Sequence, residues 1–139
     1  MGLQKVEIIS LNRKYHSLEK GLKKTSNLVL RRLKVRGYLE VYLVTDRFIK
    51  DLNRRFKKSN KITNVLSFPF DDFPQPSKSP YLGEVYLAPD YIKRKGDNLN
   101  HLLTHGILHL LGYTHKKVSD RIRMEKIEES LLKKLKVGD

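Results

Sequence analysis

Three histidines lie within eleven residues of this chain, in the segment HGILHLLGYTH at 105–115. His105 and His109 are four residues apart, so a helix carries both imidazoles on one face, where they can reach a single ion. Gly112 follows at a position where a left-handed residue typically ends a helix, and the turn lets His115 return toward the same point. The segment therefore predicts a helix, a turn and a site that holds one metal ion per chain.

The amino-acid composition limits which side chains can bind a metal at such a site. The chain has no cysteine, so only histidine nitrogen and carboxylate oxygen remain as side-chain metal ligands of the usual kinds. Zinc is the first candidate because neutral imidazole suits it, with nickel, copper and iron as alternatives. Three protein ligands leave a fourth position open to water, which is the form of a catalytic zinc site. The competing interpretation is that two histidines pack in the core and the third caps a turn.

Positive charge is concentrated in the first half of the chain. Residues 1–61 hold 17 Lys and Arg against 5 Asp and Glu, whereas residues 62–139 hold 12 against 10. A cationic half favours a polyanionic partner, because neutralised phosphates release their counterions. A solubilising surface is the alternative explanation.

Length and periodicity predict one α+β domain over residues 1–139. We expect an approximately four-stranded mixed sheet packed with helices, with the metal site on a central helix. The predicted strands are 4–9, 38–45, 63–69 and 82–87; the predicted helices are 14–35, 46–57, 97–112 and 118–135, with Gly37 ending the first. The proline-containing stretch 71–80 is predicted to be a loop. No apolar run is long enough to cross a bilayer and no signal-peptide pattern appears, so we expect a cytoplasmic protein without a membrane partner.

The histidine spacing matches the metzincin proteases, whose motif is H-E-x-x-H-x-x-G-x-x-H, except at one position. Gly106 stands where those enzymes have a glutamate that acts as general base. Without that carboxylate a protease lacks its proton acceptor, so a metalloprotease ranks third among the candidate functions.

Three motifs in order resemble the YbeY endoribonucleases, also described as ribosomal RNA maturation factors. They are LNRRFKKSNKITNVLSFPF (52–70), LGEVYLAPD (82–90) and HGILHLLGYTH (105–115), and the glycine after the first histidine is the family's form. The resemblance implies a single-strand-specific, metal-dependent endoribonuclease acting in 16S ribosomal RNA 3′-end maturation and in ribosome quality control. It also implies zinc on His105, His109 and His115, with ribosomal RNA and the small ribosomal subunit as partners.

The chain departs from the family pattern at three positions. Lys57 stands where the family commonly has an arginine thought to be functional, Thr114 where an aspartate often precedes the last histidine, and Ile62 where proline is usual. Lysine keeps the positive charge but lacks the bidentate fork of arginine. We therefore predict Lys57 first and Arg55 second as the cations that stabilise transition-state charge, against the alternative of a solvated helix end.

Two questions stay open at the level of sequence. No residue is assigned as general base, and Ser67 and Glu84 are only weak candidates for the site; His16 and His101 are interpreted as ordinary surface or helix residues. The runner-up function is a non-catalytic assembly factor that binds RNA or the ribosome and uses zinc to stabilise its fold.

Overall fold

The computed structural model of the chain describes residues 4–70, 80–113, 122–130 and 133. Within these residues the strands are β1 (Gln4–Ser10), β2 (Gly37–Leu43), β3 (Val65–Pro69) and β4 (Tyr81–Leu87). A 3-10 helix (Arg13–Leu18) precedes α1 (Glu19–Arg32), and the later helices are α2 (Asp46–Lys57), α3 (Pro89–Arg94), α4 (Leu99–Leu110) and α5 (122–130). None of the helices among the described residues is both long enough and apolar enough to span a bilayer.

The four strands form one mixed sheet in the order β1-β2-β4-β3. β1 and β2 are parallel, as are β2 and β4, whereas β3 is antiparallel to β4. Parallel neighbours need a crossover connection, which α1 supplies between β1 and β2. The predicted α+β class with a four-stranded mixed sheet is thus confirmed, and the structure adds the strand order.

One face of the sheet is covered by α1 and α4, and the main core lies between these layers. In β2 alternate residues are buried, so Leu39, Val41 and Leu43 face the helices while Glu40 and Tyr42 face the other way. From α4, Leu103 and Ile107 fill the same core. The apolar side of α4 is therefore turned toward the sheet, which directs its histidines away from the core.

The first helix differs from its prediction at both ends. A 3-10 turn occupies its beginning, and α1 ends at Arg32 rather than at Gly37, which instead begins β2. Lys34 takes the left-handed conformation (φ 57°), while its N–H donates to Arg31 O and the Val35 N–H donates to Leu30 O. These two bonds form a Schellman motif, so a lysine ends the helix in place of the expected glycine.

The remaining segments can also be compared with their predictions. Thr45 caps α2 by accepting a hydrogen bond from the Phe48 N–H, and the helix then covers the predicted range 46–57. The short α3 is absent from the predicted helices, although Pro89 is a signal for it, because proline is favourable in a first helical turn. Most of the predicted loop 71–80, and both ends of the predicted last helix, lie outside the described residues.

Candidate active site

An open pocket of about 840 Å³ lies beside α4. Its lining combines the polar side of α4 with β3, the end of α2 and α5. The chemically active side chains among its lining residues are Lys57, Ser67, His101, His105, His109, Glu125 and Glu128. The structure thus brings two predicted metal ligands and the first predicted cation into one cavity.

The histidines of the pocket are presented by α4. Asn98 begins this helix by accepting a hydrogen bond from the His101 N–H, and one turn later His105 follows. The rings of His105 and His109 lie side by side, with centroids 4.4 Å apart and planes inclined by 56°. The predicted i, i+4 geometry, with both imidazoles on one face of a helix, is therefore present.

The end of α4 has the turn that the sequence predicts. Gly112 has a φ of +98°, its N–H donates to His109 O, and the Tyr113 N–H donates to Leu108 O. This is a Schellman motif, in which glycine adopts the left-handed conformation without a steric penalty. The predicted third ligand, His115, and Thr114 before it lie outside the described residues, and the described ones contain no group of three possible ligands around one point. The assignment of His115 stays a prediction.

A buried carboxylate joins the pocket from α5. The side chain of Glu128 has one oxygen, Oε1, 3.2 Å from His105 Nδ1, and the other, Oε2, 2.8 Å from His101 Nε2. Burial alone would raise the pKa of the Glu128 carboxyl, but hydrogen bonds from His105 and His101 outweigh it and hold this pKa below its usual value. Glu128 is therefore a carboxylate that two imidazoles share.

Sequence reasoning missed both Glu128 and the role of His101. The signal for His101 was available, because it lies four residues before His105 and so belongs to the same helix face. Its interpretation as an ordinary helix residue is incomplete, since its ring contacts Glu128 and lines the pocket. Nothing local marks Glu128, which reaches α4 only through the packing of α5.

Gly106 lies on the side of α4 that faces the sheet. A Cβ atom added there would lie 2.8 Å from Val65 Cγ2 and 3.0 Å from Val85 Cγ1. The Ser67 hydroxyl donates a 2.7 Å hydrogen bond to the carbonyl of the same glycine. A glutamate side chain at position 106 would collide with β3 and β4. This fold therefore has no room for the glutamate that serves as general base in the metzincin motif.

Ser67 and Glu84, the two weak candidates from the sequence, lie on opposite faces of the sheet. Ser67 lines the pocket, but its hydroxyl is engaged with the backbone of α4. Glu84 accepts a hydrogen bond from the Tyr86 hydroxyl, and its neighbour Val85 is the β4 residue that meets α4. Because successive residues of a strand point to opposite faces, Glu84 is directed away from the pocket.

Of the two predicted cations, Lys57 lines the pocket and Arg55 does not. Lys57, the last residue of α2, lines the pocket, and its Nζ lies 5.4 Å from the centre of the Phe68 ring. Arg55 instead makes an ion pair with Asp51, its Nε 3.1 Å from Oδ2, and is not among the lining residues. A cation at a helix C-terminus also interacts favourably with the helix dipole. Lys57 therefore stabilises α2 as well as lining the pocket.

Comparisons with known proteins identify the family of the chain. A family model described as endoribonuclease YbeY matches residues 5–136. The endoribonuclease YbeY of Ehrlichia canis is 35% identical over 131 residues, covering 88% of this chain and 83% of the relative. That of Bartonella quintana is 35% identical over 136 residues, covering 90% and 84%. The solution structure of TM1509 from Thermotoga maritima matches with a TM-score of 0.59 and 23% identity over 96% of this chain and 93% of its own, a likeness of fold alone.

Proposed function

Because the chain belongs to the YbeY endoribonuclease family, we propose that it is a zinc-dependent endoribonuclease that cleaves single-stranded ribosomal RNA. Its role is maturation of the 3′ end of 16S ribosomal RNA and ribosome quality control in the cytoplasm. The observation that carries the proposal is the pair His105 and His109, side by side on the pocket face of α4 in a chain that matches the family almost end to end.

The residues present fit a zinc ion. His105 and His109 supply two adjacent imidazoles at an open pocket, and the sequence supplies His115 three residues after the turn at Gly112. Since Nδ1 of His105 faces Glu128, the metal would be held by Nε2 of that ring. Zinc, when bound by three imidazoles, supplies an activated water at neutral pH and polarises a phosphoryl oxygen.

Lys57, which lines the same pocket as the two histidines, would supply positive charge to the reacting phosphodiester. A phosphoryl group gains negative charge on its oxygens as its bond breaks, and a preorganised cation in the same pocket stabilises that charge. Lysine does so as a point charge without the planar fork of arginine. Arg55, which is held by Asp51, is the second candidate and would have to leave that ion pair to take part.

The composition of α2 and the turn after it, which together contribute Lys57 to the pocket, suits a single strand of RNA. Residues 46–61 carry seven Lys and Arg against two Asp. Beside Lys57, the aromatic residue Phe56 is 63% exposed. Cationic side chains track the phosphate backbone while an exposed ring offers its face to an unpaired base, whereas a base inside a duplex is already stacked on both sides.

The test is substitution of His109 by alanine, with His16 as the matched control. Both side chains are exposed, but His16 lies on the 3-10 helix, away from the pocket. Cleavage and binding of labelled single-stranded and duplex RNA are measured with zinc-loaded protein, and zinc per chain by elemental analysis. We expect H109A to lose cleavage and zinc while it still binds RNA, and H16A to match the wild type.

Two outcomes would contradict the proposal. Unchanged cleavage by H109A would remove the metal site from the reaction. Binding of RNA without cleavage by the zinc-loaded wild type would favour the non-catalytic assembly factor instead.

A further inference from the structure

We propose that Glu128 is a positioning residue that orients the His105 ring for metal binding. The inference rests on the proposed zinc site and extends it beyond the three predicted ligands. Glu128 is 8% exposed, and its Oε1 lies 3.2 Å from Nδ1 of His105. It contacts the ring on the side away from the atom that would bind the ion.

The contact with Glu128 matters because it favours one tautomer of the His105 imidazole. A neutral imidazole carries one proton, and the nitrogen without the proton is the one that can bind a metal. A carboxylate accepts hydrogen bonds and donates none, so its position at Nδ1 favours the tautomer with the proton on Nδ1 and the lone pair on Nε2. Such carboxylate partners also raise the basicity of the metal-binding nitrogen.

His101 holds the carboxylate itself in place. The second oxygen of Glu128, Oε2, lies 2.8 Å from Nε2 of His101, one turn before His105 on α4. A single carboxylate thus bridges two rings of the same helix, and its two contacts fix its direction. His101 therefore anchors Glu128 and is not counted among the metal ligands.

α5 has attachments that do not depend on Glu128. Met124 is fully buried, Ile127 packs against the main core, and the Ser130 hydroxyl accepts a hydrogen bond from Arg32 of α1. A variant at Glu128 is therefore expected to keep the helix docked. The same attachments define the competing explanation, in which Glu128 only helps to fasten α5 to α4.

Two substitutions of Glu128 and one control separate these explanations. Glu128→Gln keeps an acceptor oxygen of the same reach, Glu128→Leu removes the acceptor, and Glu129→Gln changes an exposed neighbour. The zinc dissociation constant is measured by competition with a chromophoric chelator. The ring nitrogen chemical shifts of His105 are measured by NMR on metal-free protein.

We expect a graded result. Glu128→Leu weakens zinc binding by about 10–100-fold, Glu128→Gln weakens it less, and Glu129→Gln leaves it unchanged. In the metal-free wild type, the His105 ring carries its proton on Nδ1, and Glu128→Leu loses that preference. A contribution to fastening alone would lower the stability of the metal-free protein without changing the tautomer.

The inference is overturned if Glu128→Leu folds, binds zinc as tightly as the wild type and keeps the His105 tautomer. Should that variant fail to fold, Glu128→Gln and His101→Gln decide, because unchanged affinity and tautomer in both would overturn the inference equally. Failure of the proposed function looks different: the wild type would bind no zinc or cleave no RNA. The NMR shifts of metal-free protein would still show whether Glu128 orients the ring.

Discussion

Substitution of Gly106 by alanine tests how closely α4 approaches the sheet. In the middle of a helix, alanine is more favourable than glycine by about 1 kcal/mol. Here the added Cβ would lie 2.8 Å from Val65 Cγ2 and 3.0 Å from Val85 Cγ1, well inside the ordinary carbon–carbon contact of about 3.5–4.0 Å. Overpacking of this kind costs about 1–3 kcal/mol. The net change expected for G106A lies between no effect and a loss of about 2 kcal/mol.

Gly21 provides the matched control. It lies in α1, and a Cβ added there would meet no atom within 4 Å. G21A therefore keeps the helix-propensity gain, about 0.5–1 kcal/mol near a helix start, without a steric cost. The difference in stability between the two variants reports the contact with the sheet and should come to about 0.5–3 kcal/mol.

The assay is urea unfolding of metal-free protein, followed by circular dichroism, for wild type, G21A and G106A. We expect G21A to be the most stable and G106A the least stable or equal to the wild type. Adding Val65→Ala to G106A removes the nearest carbon, so the double variant should be more stable than the sum of the two single changes predicts. If G106A were stabilised as much as G21A, the close approach would not be limiting. The sheet would then leave room for a glutamate at position 106.

Three further predictions concern the candidate site and the stability of the fold. K57A should lower kcat for single-stranded RNA by about tenfold or more and change KM less, because the charge acts mainly in the transition state. K57R should retain activity and R55A should be near wild type, and steady-state kinetics in which R55A is the more damaging change would reverse the assignment. D90N should lower stability near neutral pH, because hydrogen bonds from Lys14 and Tyr15 hold the pKa of Asp90 below its usual value. That contribution is present above the ordinary carboxyl pKa and is lost as the pH falls through the lowered one, so urea unfolding of wild type and D90N should converge in acid; a constant gap would contradict the charge argument. Bound zinc and activity should both fall below about pH 6, because histidine ligands must be neutral, and a metal content that stays constant through this titration would count against the histidine site.

The strands were predictable because their signals are local. The alternation of buried and exposed residues in β2 marks both the strand and the face it buries. Pairing is not local: β4 lies between β2 and β3 in the sheet, although α2 and β3 separate it from β2 along the chain. No periodicity within a strand specifies its neighbours, so the order of the sheet came only from the structure.

The end of α1 shows how tertiary packing overrides a residue preference. Glycine is the favoured residue at a left-handed helix cap, and Gly37 was the obvious candidate. The chain turns earlier, at Lys34, and Val35 packs against the main core directly after the turn. The two capping bonds and the partial burial of Val35 offset the modest cost of a left-handed lysine.

The sequence by itself determined that His105 and His109 share a helix face and that the helix ends in a turn at Gly112. Both features depend on helix geometry over a few neighbouring residues. Only the tertiary structure decided that Glu128 meets two histidines, that Lys57 reaches the same pocket and that Gly106 touches the sheet. Those contacts join segments that are distant in the chain, and they exist because burial of apolar surface docks α2, α4 and α5 around one cavity.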